Sequence, residues 1–204
     1  MSVFRIDVLK TIQAICLLLK AMRKDRLEYI SILKLLYIAD RESWAERGAP
    51  ITGDVPVAMK NGPVLSAVYS LINLEREEDL PLWLHYLHRE DYDLEVKGDP
   101  GTDRLSRYEI RKLTELAERN VGLSWRELVE VTHGFGEWKK NNPEEQGVKM
   151  LPISLADILH AVGRGEQVES IKEDMEARAS MMLAPQAQRL QPLGFPPPMS
   201  TTLP

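Results

Sequence analysis

The apolar spacing of the first 46 residues constrains this chain most. Val8, Ile12, Ile15, Leu19 and Met22 recur at alternating steps of four and three, which puts them on one face of a helix predicted over 6–22. A charged break, RKDR at 23–26, separates it from a second helix over 29–46, with Gly48 as the stop and Pro50 just beyond. On that second helix Leu33, Tyr37, Asp40 and Trp44 share a stripe. Asp40 is the odd member. A carboxylate on a largely apolar face must accept hydrogen bonds from backbone or meet a cation.

The rest of the chain is punctuated in the same helical style. Residues 51–60, ITGDVPVAMK, alternate and contain Pro56, which predicts a short edge strand. Asn61-Gly62 reads as a turn, and Pro63 as the first residue of a third helix over 63–74. The acidic run EREED (75–79) reads as a solvated loop. Residues 82–97 alternate well enough for two short strands around Arg89-Glu90-Asp91, with a helical reading of the first half left open. Ser106 with Glu109, Ser124 with Glu127, and Ser154 with Asp157 have capping-box spacing or its aspartate equivalent, and open helices over 106–120, 124–132 and 154–162. A last helix over 167–183 carries Val168, Ile171, Met175 and Met182 on one stripe. Six of the thirteen prolines (Pro185, Pro192, Pro196, Pro197, Pro198 and Pro204) crowd into the final twenty residues, a composition that cannot bury a core. The expected organisation is a single domain over 1–183 with a proline-rich disordered tail over 184–204. Its fold class is mainly α: a compact helical domain of about six to seven helices with a small β-hairpin or short strands.

With 44% hydrophobic and 28% charged residues the chain can build a real core, and its net charge of −5 argues against a general nucleic-acid binder. The longest apolar run, AICLLL at 14–19, is far below a bilayer span, and Arg5, Asp7 and Lys10 interrupt the N-terminal apolar pattern. Neither membrane insertion nor a secretory signal is expected. The single cysteine, Cys16, lies in a helical apolar stretch and fits a reducing cytoplasm. Candidate chemistry is sparse. His85, His88, Asp91 and Asp93 are metal-ligand types, but on a strand positions 85 and 88 face opposite sides, and no metal site is expected. Ser66, Ser124 and Cys16 lack the surroundings that activate a nucleophile, and THGFGEW (132–138) lacks the Gly-Lys-Ser/Thr of a phosphate loop. The helix pair 106–120 and 124–132 has helix-turn-helix spacing, yet SWRELVEVT would carry Glu127 and Glu130 to the phosphates against one Arg126. The expectation is a binding protein: no enzyme, no cofactor.

Short motifs in order go further. LKLLYIAD (33–40), GAPITGD (48–54), AMKNGPV (58–64) with Val68-Tyr69, DRLSRYEIRKL (103–113) and ELVEVTHGFGEW (127–138) together resemble the Panacea domain, the SocA-like antitoxin family. The resemblance spans roughly 10–162. One departure is the Gly136-Glu137 pair before Trp138, where relatives often carry a proline; another is the stretch 75–97, which matches nothing in the pattern. The resemblance implies a cytoplasmic antitoxin, often phage- or prophage-associated, that neutralises a cognate toxin by direct protein–protein binding. It also implies an alternative, an adaptor that delivers the toxin to a ClpXP-type protease; a DNA-binding regulator, which the resemblance does not carry, ranks below both. The residues carried over by motif are Lys34, Leu35, Tyr37, Asp40, Pro50, Asp54, Met59, Asn61, Gly62, Pro63, Val64, His133 and Trp138. They are expected to form a structural frame, with the 75–79 loop and the 82–97 element as the surfaces that choose the partner.

Overall fold

The computed structural model describes residue 4 and residues 6–188. Among them are nine α-helices, one 3-10 turn and six short strands. The mainly α architecture matches the sequence expectation, and the two helices beyond the expected seven are short.

Helix α1 (Val8–Ala21) starts where Asp7 caps it, the carboxylate accepting from the Lys10 N–H at 3.0 Å. Its stripe of Ile12, Ile15 and Leu19 is buried. After strand β1 (Arg26–Glu28), helix α2 (Tyr29–Arg47) ends at Gly48, whose φ of +66° is left-handed and whose N–H bonds back to the Trp44 carbonyl. Helix α2 is buried on nearly every side between residues 31 and 40 and touches α1, β1, the strand over 62–65 and the helices over 66–72, 107–120, 125–133 and 155–161. It is the axis of the molecule.

The stretch predicted as an edge strand folds differently. Strand β2 (Pro56–Met59) is the middle of a three-stranded antiparallel sheet, flanked by β3 (Gly62–Leu65) and β6 (Met150–Pro152). Pro56 is tolerated because it begins the strand, while its carbonyl accepts from the Ile153 N–H at 3.0 Å. Pro63 does not open a helix. It lies in β3 opposite Ala58, on the true edge strand, where a missing donor costs nothing. The third helix, α3 (Ser66–Ile72), begins three residues later.

The second sheet has the order β1-β5-β4, with β4 (Leu87–Glu90) and β5 (Asp93–Val96) joined at Asp91-Tyr92, where Asp91 has a φ of +52°. The first half of the 82–97 stretch takes the helical alternative, inside α4 (Leu80–Tyr86), which has Pro81 in its first turn. The three predicted capping boxes all form, at Ser106 for α5 (Arg107–Asn120), Ser124 for α6 (Trp125–His133) and Ser154 for α8 (Leu155–Ala161). The THGFGEW segment runs from the last residues of α6 into helix α7 (Gly136–Lys140). Helix α9 (Val168–Gln188) runs past the boundary expected at 183, and Ile171 seats it on the core. Of the proline-rich tail assigned to 184–204, residues 189–204 lie outside the described residues.

Candidate functional site

Two clusters gather most of the motif residues along α2. The first is built on carboxylates. Asp40, 3% exposed, accepts from the N–H groups of Ile51 and Thr52 at 2.8 and 2.9 Å and from the Thr52 hydroxyl. Pro50, half-buried just past Gly48, immediately precedes those two donors. Asp54 holds the start of α3, its two oxygens accepting from Ala67 N–H at 3.0 Å and Val68 N–H at 2.9 Å. Leu65 at the N-cap offers no side-chain acceptor, so the cap comes from a distant residue. Burial, the dominant cause, lifts the Asp40 carboxyl to about 6 and raises Asp54 as well, and the donors around each restrain the rise.

The second cluster closes over the hairpin turn. The Lys34 side chain is fully buried, and its ammonium donates to the Pro63 carbonyl at 2.9 Å. Burial lowers its pKa to about 7. Gly62, with φ at +91°, passes so close beneath this group that a Cβ there would meet Thr132 Oγ1 at 2.7 Å, Lys34 Nζ at 3.0 Å and His133 Cδ2 at 3.2 Å. The Trp138 indole N–H donates to the Met59 carbonyl at 3.0 Å, and its ring stacks on His133 with centroids 4.0 Å apart. The imidazole is held below its usual pKa by burial, and its Nε2 has no partner among the described residues.

Among the motif residues, Lys34, Met59, Gly62, Pro63, His133 and Trp138 therefore meet in one place, and Asp40, Pro50 and Asp54 in another. Leu35 is a fully buried core residue and Val64 is buried in β3, while Asn61 is exposed at the turn. Tyr37 belongs to neither cluster. Its hydroxyl donates at 3.0 Å to Oε1 of Glu137, a residue 1% exposed, which also accepts from Arg41 Nε at 2.7 Å. The Arg41 guanidinium lies 4.1 Å over the Phe135 ring. Sequence reasoning passed over Arg41 and noted Glu137 only as a departure from the motif; Arg41 stands one turn after Tyr37, the spacing that could have pointed to it.

A cleft of about 430 Å³ opens beside the hairpin. One side is made by Tyr29, Leu33 and Lys34 of α2 and Tyr69 of α3, the other by Met59–Gly62 and the segment 144–149. Of the remaining candidates, burial pushes the Cys16 thiol up to about 12, far from a reactive thiolate. His85 packs edge-on against Tyr86. Among the described residues no group of three or more His, Cys, Asp or Glu side chains is placed to hold a metal ion, and no helix is long and apolar enough to cross a membrane.

The family model described as antitoxin SocA-like, Panacea domain, matches residues 32–139, from the first turn of α2 to the Trp138 that locks the hairpin. No curated protein and no solved structure matches the chain. With more than half of its 204 residues inside the family match, and both polar clusters built from residues within it, the chain belongs to the SocA-like antitoxin family and carries its Panacea domain.

Proposed function

We propose that this protein is an antitoxin that binds a cognate toxin directly in the cytoplasm and holds it inactive, with no catalysis of its own. Family membership over α2 to α7 is the observation that carries this reading. The chemistry of the motif residues supports it. Asp40 and Asp54 are spent on backbone donors, Lys34 on a backbone carbonyl, and Trp138 on a second carbonyl. Groups engaged in this way build a rigid frame for recognition surfaces, and a net charge of −5 favours encounter with a basic partner.

The test is genetic and then biochemical. Expression of the neighbouring gene alone is expected to arrest growth, and co-expression of this chain to restore it. The two purified proteins are expected to run as one complex in size-exclusion chromatography. If no adjacent gene product is toxic, the antitoxin reading fails. Rescue is expected to persist in a host lacking ClpXP. Rescue that disappears there, with toxin accumulating, replaces direct neutralisation by proteolytic delivery.

A further inference from the structure

We infer that the cleft between α2, the β2–β3 turn and residues 144–149 is where the toxin docks, and that it receives a toxin segment presenting a bulky apolar side chain beside a carboxylate. The inference rests on the antitoxin reading and adds the surface and the chemistry of the contact. At about 430 Å³ the cleft falls within the roughly 300–1,000 Å³ of built binding sites. Its walls are apolar and aromatic, from Tyr29, Leu33, Met59, Tyr69 and Val148. The apolar surface continues outward: Val148 is 46% and Met150 43% exposed at its lip. An aromatic-walled recess with an apolar lip is the kind of place where a partner's anchor side chain is desolvated.

Charge selects the occupant. The molecule as a whole is acidic, yet the cleft is lined by Lys34, Lys60 and Lys149 against one carboxylate, Glu144. Glu144 already faces Lys60 at 3.3 Å and Lys34 is fully buried against the Pro63 carbonyl, which leaves Lys149, exposed at the rim, as the uncompensated cation of the cleft. A local cationic surplus on an acidic protein complements a carboxylate and repels a basic segment. The walls draw on both the family match and the segments flanking it. Leu33, Lys34, Met59 and Gly62 come from the family frame, whereas Tyr29, Glu144, Val148 and Lys149 lie outside the matched residues. Eight of the thirteen lining residues thus belong to the family match and five lie beyond it.

The experiment uses the full chain and the growth-arresting product of the neighbouring gene, with binding measured by surface plasmon resonance. Val148→Asp is expected to weaken binding about tenfold by placing a charge in the apolar lip. Lys149→Glu is expected to slow association by about three- to tenfold at low salt, a difference that closes near about 0.5 M NaCl. Both residues are exposed, and the melting temperature of each variant is expected to match wild type. Glu77→Lys, on the acidic 75–79 loop, is the control and is expected to leave affinity unchanged. Wild-type affinity in both cleft variants overturns the inference while the antitoxin reading stands. Faster association by Lys149→Glu also overturns it, as does a loss in Glu77→Lys equal to that in the cleft variants. A toxin-free dimer that Val148→Asp dissolves gives the cleft to a second copy instead. A wild-type chain that binds no toxin removes both the inference and the reading beneath it.

Discussion

Lys34 and Asp40 lie on the same helix, and burial moves their pKa values in opposite directions. Lys34 falls from 10.5 to about 7 in the folded protein. Between those values the unfolded chain holds a proton that the native state lacks, so stability rises with pH there, with a limiting slope of about 1.4 kcal/mol per pH unit. Below about 7 both states are protonated and the full desolvation cost is present. Asp40 rises from 3.8 to about 6, so the native state holds the extra proton and stability falls as pH climbs through that window. Lys34→Met separates the two. It removes the buried ammonium and leaves the Pro63 carbonyl without its donor, an offsetting loss of about 1 kcal/mol. Urea unfolding of wild type and Lys34→Met at about pH 7 and about pH 9.5 is expected to show wild type gaining on the variant at the higher pH. Parallel stability curves would mean that Lys34 stays protonated in the fold.

Short elements in this molecule are held by residues far away in sequence, and there the chain is hardest to read. Helix α3 is only seven residues long and takes its cap from Asp54, on the loop before β2. Asp54→Ala is expected to cost about 2 kcal/mol or more, measured by chemical denaturation, because two backbone donors at the helix start lose a buried carboxylate. An effect below half of that would mean that the first turn finds other acceptors. The hairpin gives a second test. Gly62→Ala combines left-handed strain, worth about 1–2 kcal/mol, with a Cβ in contact with Thr132 and Lys34. Gly163 has a comparable φ of +78° with open space around it, so Gly163→Ala reports strain alone. Gly62→Ala is expected to be the costlier of the two, and equal losses would show that the side chains over the turn simply move aside. Capping boxes at Ser106, Ser124 and Ser154 were legible because cap and partner are three residues apart. Pro63 was misread because its surroundings are set by pairing. Asn-Gly-Pro is good punctuation for a helix start, and only the β2–β3 ladder makes it a strand. The middle position of β2 depends on β6, whose residues come some ninety positions later and are too few to show a period of their own.

On the scale of the whole molecule, α2 organises everything the family motif contains. Its apolar stripe was readable, and so was the need of Asp40 for partners; the identity of those partners, Ile51 and Thr52, was not, because it follows from how the chain folds back after Pro50. The burial of Lys34 was invisible too, since a lysine in a helix reads as solvated unless the hairpin is known to lie over it. The carboxylate cluster, the hairpin cluster and the Tyr37–Glu137–Arg41 contact each tie α2 to a different part of the chain. If the buried groups of these clusters are frame and the toxin touches only the open face of the cleft, stability and toxin affinity are separable, and Trp138, which does not line the cleft, is the place to separate them. Trp138→Phe keeps an aromatic face against His133 and removes the N–H that reaches the Met59 carbonyl. The lost bond is expected to cost about 1–2 kcal/mol, lowering the melting temperature by about 2–4 °C per kcal/mol for a domain of this size. Toxin affinity at about 25 °C is expected to stay within about twofold of wild type, because the fold remains populated well below its transition. An affinity loss without a fall in melting temperature would place Trp138 at the toxin contact and move the binding surface from the cleft onto the hairpin cluster itself.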